Sequence, residues 1–156
     1  MILVLKLLHI AAVVLFLGNI VTGLFWHAHA ARTREPRLLA HAMEGIIHSD
    51  RLFTIPGVIV IVAAGVALAI HLHLPLVRTG WILWTSVLLA VSGLVFMLRV
   101  APLQRQLLAL AAEGWRSGGF DYGRYRSLAI AWEAWGAAAL LTPVAGLALM
   151  VLKPQL

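Results

Sequence analysis

Four apolar stretches, residues 2–26, 52–74, 80–101 and 128–152, dominate this chain and decide what it can fold into. A helix rising about 1.5 Å per residue needs about 20 apolar residues to cross a hydrocarbon layer roughly 30 Å thick. Each stretch meets that length. Lipid offers no hydrogen-bond partner to exposed backbone, so runs of this kind cross as helices. The rest of the 156 residues is too short to add a soluble domain, and 62% apolar residues exceed what an ordinary aqueous surface tolerates. The sequence predicts an all-α, polytopic four-transmembrane-helix bundle, residues 1–156 forming a single membrane domain. Ala28-His29-Ala30 imitates a leader-peptidase site. The run before it is too long and lacks a basic start, so it reads as a retained helix.

The connectors carry the polarity. Between the first two runs, after Pro36, residues 37–47 read as a short interfacial helix with Arg37, His41, Glu44 and His48 on one face. It either lies on the membrane surface or extends the second span. In the second long connector, residues 103–112 keep a helical pattern until Gly114, Gly118 and Gly119 break it. Thr142-Pro143 predicts a kink in the last run. Nine arginines belong to the side of these two connectors, against Lys6, Arg78 and Lys153 on the other. Basic loops stay on the cytoplasmic side, which places the chain in a bacterial inner membrane with both termini periplasmic. The same charge suits anionic headgroups, and nothing in it asks for nucleic acid.

The polar residues inside the apolar runs are the candidates for function. Lys6 and His9, three apart, share a face of the first helix, and an ionisable group in hydrocarbon usually faces a bundle interior and marks a site. By helical rise His9 sits roughly 10 Å inside the outer end of its span and His71 about 5 Å inside its own. Two imidazoles at one level on neighbouring helices suit axial ligation of haem b. His9 is one ligand on this reading. His71 or His73 is the other, since two residues two apart cannot both face inward. The competing reading has His9 hydrogen-bonded to a facing helix and His71 and His73 at the headgroup level.

A weaker constellation, His27 and His29 followed by His41, Glu44 and His48 on one helical face, presents imidazole and carboxylate groups to a divalent metal. Glu133, between Trp132 and Trp135, is paired by position with Arg99, and Asp50 beside Arg51 reads as a carboxylate at the N-terminus of the second span. The absence of cysteine excludes disulfides, thiolate metal sites and cysteine nucleophiles. No serine or threonine nucleophile motif or phosphate-binding glycine loop is present.

Several short motifs recur in order: Leu5-Lys6-x-x-His9 with Gly18, Asp50-x-x-Phe53-Thr54-x-Pro56-Gly57, Trp81-x-x-Trp84, Tyr122-x-x-Tyr125, Trp132, Trp135-Gly136 and Lys153-Pro154. Together they resemble a family of uncharacterised bacterial integral membrane proteins over nearly the whole chain. The Lys-x-x-His opening is also distantly similar to HemJ-type protoporphyrinogen oxidases and copper-resistance-D-like four-helix proteins. That likeness implies a haem or porphyrin role with His9 in the place of the first-helix histidine. It departs in helix three, which lacks the HemJ-type lysine, so the likeness points to binding more than to oxidation of a porphyrinogen.

The reading that follows is a small haem-b-binding redox or porphyrin-handling module, with Lys6 placed to meet a propionate. An accessory or structural membrane subunit, in a homo-oligomer or with a partner subunit, comes second. A metal-handling protein using His41, Glu44 and His48 comes third.

Overall fold

The computed structural model describes residues 1–155 and contains only helices joined by short turns. In chain order these are α1 (Ile2–Ala31), α2 (Pro36–Ser49), α3 (Ile55–His71), α4 (Gly80–Val95), α5 (Ala101–Ser117) and α6 (Tyr122–Leu152). A single π-turn, Asp50–Thr54, joins α2 to α3 without a break, and a second, Phe96–Val100, joins α4 to α5. The molecule is therefore four long rods, all of them long and apolar enough to cross a membrane. Of the two placements open to residues 37–47, the structure has the extension of the second span. The second long connector is likewise mostly helix. α5 runs through Gly114 and stops only at Gly118, whose φ of 70° closes it. Gly114 is present for packing: a Cβ there meets Phe120 at 2.5 Å.

Both π-turns have the same local cause. Pro56 and Pro102 each stand two residues past the turn, and a proline inside a helix lacks an N–H and crowds the carbonyl four residues back. The ladder accommodates this by one wider loop, Ile55 N–H to Asp50 C=O in the first rod and Ala101 N–H to Phe96 C=O in the second. An extra residue turns one half of each rod by about 100° relative to the other. The buried stripe of the second rod thus serves two partners. Leu39 and Met43 of α2 face α5 and Ile46 packs on Gly23 of α1, whereas Gly57, Ile61 and Ala64 of α3 all face α1.

This division shapes the bundle. At the end bearing the loops 32–35 and 118–121, α1, α2, α5 and α6 close around a dense core in which Leu39, Met43, Leu107 and Tyr125 are wholly buried. Toward the termini the rods separate into two pairs, α1 with α3 and α4 with α6. Among the described residues neither α1 nor α3 makes a close backbone approach to α4, and Leu89 reaches the α1/α3 cluster by its side chain.

Within the second pair the contact is close because the facing residues are small. A Cβ on Gly146 meets Thr85 at 3.1 Å. α6 runs on through Pro143, which leaves the carbonyl of Ala139 without its helical donor. Ser92 of α4 supplies one, its hydroxyl donating to that carbonyl at 2.6 Å. Ser86, by contrast, bonds only the Ile82 carbonyl of its own helix. Replacing Ser92 by Ala should destabilise the protein by about 1 kcal/mol, because the buried acceptor loses its short bond and keeps only the Thr142 hydroxyl at 3.5 Å. Ser86→Ala should leave the unfolding midpoint in detergent, followed by circular dichroism, almost unchanged.

Candidate functional site

Where the four rods converge, the π-turn of the second rod delivers Asp50 to the interior. The residue is 7% exposed, and its carboxylate is met from three directions. Asn19 of α1 donates its amide to Oδ1 at 3.1 Å, Thr54 donates its hydroxyl to the same oxygen at 2.8 Å, and Gln104 of α5 donates to Oδ2 at 2.8 Å. Asn19 also donates to the Thr54 hydroxyl at 2.8 Å, so the four side chains form one closed network. A carboxylate is an acceptor only, and every neighbour here is a donor to it. The network ties α1, the second rod and the third rod together at one level. Beside it lies a cavity of about 30 Å³, lined by Asn19, Asp50, Gln104 and Trp132 among others. That is room for one or two waters, and the buried Trp132 Nε1–H on its wall has no protein acceptor.

A second polar cluster sits nearer the loops. His27, wholly buried, places Nε2 3.0 Å from the Tyr125 hydroxyl and packs edge-on against Trp132 at 4.7 Å between centroids. Its Nδ1 lies 3.5 Å from Glu133 Oε1 without a hydrogen bond to it, and that oxygen accepts from Arg126 at 2.9 Å. Arg126 and Glu133 are two turns apart on the same helix, so the pair also braces the entrance of α6.

The residues singled out by the sequence fall differently. His9 is partly buried, and its Nδ1 stands 2.9 Å from the Ile61 carbonyl of α3. A carbonyl only accepts, so Nδ1 carries the proton; in the neutral ring Nε2 then keeps its lone pair. The imidazole lies against Gly65, where a Cβ meets the ring at 3.1 Å. Lys6 is exposed one turn away. His71 and His73 are exposed at the far end of α3, and His71 Nδ1 bonds the Ala67 carbonyl of its own helix at 2.9 Å. Six residues separate His71 from Gly65, about 9 Å of helical rise, so neither histidine is brought to the level of His9.

His41, Glu44 and His48 all face outward on α2. Among the described residues no three His, Asp or Glu side chains converge as a metal site. Two pairings read from position need correction. Glu133 meets Arg126 and His27, while Arg99 lies over the Trp135 ring at 5.4 Å. Asp50 opens no helix: α2 continues straight into the second span, which makes the carboxylate an interior group. Asn19 and Gln104 became legible only through that contact. Their sequence signal is a lone amide in an apolar run and the first of two glutamines that follow Pro102.

A family model described as "Predicted integral membrane protein (DUF2269)" matches residues 3–154. The chain belongs to that family. It is an integral, multi-pass membrane protein. No curated protein and no solved structure matches it.

In this DUF2269 member the Asp50 network joins three rods by side-chain hydrogen bonds. Asp50→Ala strands the Gln104 amide and the Thr54 hydroxyl and leaves the Asn19 amide only its bond to Thr54, and should destabilise the bundle by on the order of 3 kcal/mol. Asp50→Asn keeps one acceptor oxygen and should lose markedly less. Equal unfolding midpoints for wild type and Asp50→Ala in detergent would sink the assignment.

Proposed function

We propose that the protein is a small haem-binding or porphyrin-handling redox module in which His9 grips the tetrapyrrole. The observation that carries this is the His9–Ile61 bond at 2.9 Å. Ligating histidines are commonly held in this way, one ring N–H fixed on a carbonyl and the other nitrogen left with its lone pair. His9 stands, moreover, in the half of the molecule where the two helix pairs diverge. Lys6, one turn away and exposed, is suited to a propionate.

The donor set fits a group gripped by one imidazole from this chain. His71, turned back on Ala67, fits a second ligand poorly. The charge of the loops supports a loop end in the cytoplasm and termini on the periplasmic face of a bacterial inner membrane: nine arginines on the loop side outnumber the three basic residues on the other.

Protein purified in mild detergent with haem supplied should show a Soret band that shifts on reduction with dithionite. His9→Ala should abolish the band. His71→Ala and His73→Ala should each retain it, as should the His41→Ala/His48→Ala double variant. A colourless preparation that co-purifies with a membrane partner would replace this reading with that of an accessory subunit.

A further inference from the structure

Between the end of α1 and the start of α6, at the loop end, lies a cavity of about 520 Å³ walled by Arg32, Arg34, Arg126, Tyr122 and Glu133. Three guanidiniums against one carboxylate leave two positive charges on its walls. The carboxylate, moreover, is already engaged by Arg126. Among the described residues neither Arg32 nor Arg34 has a carboxylate within ion-pair distance.

The loop that carries these two arginines is braced. Thr33 donates its hydroxyl to the Ala30 carbonyl at 2.7 Å and accepts the Glu35 N–H at 3.2 Å. Tyr122 donates to the Ala31 carbonyl at 3.3 Å, pinning its ring to the end of α1. Arg34 adopts φ 55°, a conformation a branched or long side chain rarely takes, and its guanidinium lies 5.1 Å from the centroid of that ring. The loop thus holds its cations over an open cavity although they repel one another.

The geometry points to a phosphate-binding site in this cavity. A guanidinium fork matches phosphate oxygens in pairs, and the volume lies within the range of small-molecule sites. Because the site opens at the end of membrane-crossing helices, the phosphate is borne by an anionic lipid headgroup or by a soluble phosphate compound. Membrane orientation alone does not account for the arrangement. It needs only a number of basic residues on one side, and Arg105, Arg116 and Arg124 add to that number without lining the cavity. The site is independent of the reading given to His9.

The test follows unfolding midpoints of the full chain in detergent during titration with phosphatidylglycerol, phosphatidylcholine or inorganic phosphate. Phosphatidylglycerol should raise the midpoint saturably and phosphatidylcholine should not. Arg32→Gln/Arg34→Gln should weaken the apparent affinity about tenfold or more, two bidentate partners being lost. Arg105→Gln/Arg116→Gln, which removes the same charge outside the cavity, should leave it within about twofold. A shift reproduced by inorganic phosphate with the same dependence on Arg32 and Arg34 assigns the site to a soluble phosphate; a shift seen only with the lipid assigns it to a headgroup. Equal weakening by the two double variants, or equal binding of phosphatidylcholine, overturns the proposal. Should the first double variant fail to fold by circular dichroism, Arg32→Gln alone, an exposed loop position, carries the same comparison.

Discussion

A polar group placed among apolar helices has to find its hydrogen bonds inside the protein, and this bundle is assembled around the places where that demand is met. The carboxylate of Asp50 takes donors from three different rods. The carbonyl freed by Pro143 takes one from Ser92 on a neighbouring rod. Lipid drives no apolar packing between helices, so such bonds, together with close approach at small residues, define which rods pair and at what level. The proline-induced π-turns belong to the same account: each relieves a backbone conflict, and the first also brings Asp50 into the interior.

Four membrane-length helices and their all-α arrangement were legible because apolar length is a strong local signal. The positively charged loops were legible for the same reason. What the residue pattern left open was continuity. Pro36 starts a helix in any context, but whether residues 37–47 lie on a surface or run on into the second span depends on α5 being there to receive Leu39 and Met43. The reading of Asp50 as a helix-terminal carboxylate failed through that one undetermined choice. Glu133 was assigned to Arg99 on matching depth. The structure prefers Arg126, two turns away on the same helix, and depth alone has no means of ranking partners by direction.

The histidines show a similar limit. Spacing along α1 singled out His9, and its bond to Ile61 is a contact the competing reading anticipated. Depth arithmetic brought His71 near its level because the ends of the second span were uncertain by several residues. With those ends located, the helical rise between Gly65 and His71 separates them. Asn19, Thr54 and Gln104 escaped notice as a group because each is a single neutral polar residue, unremarkable until three rods are placed side by side.

The unequal closure of the bundle has a mechanical consequence. One end is locked by the wholly buried Tyr125, Leu39, Met43 and Leu107, while at the other the two helix pairs meet mainly through side chains such as Leu89. What holds the two pairs at their distance near the termini is therefore side-chain bulk and not backbone contact, and a change of side-chain size at position 89 would alter their spacing while leaving the locked end untouched.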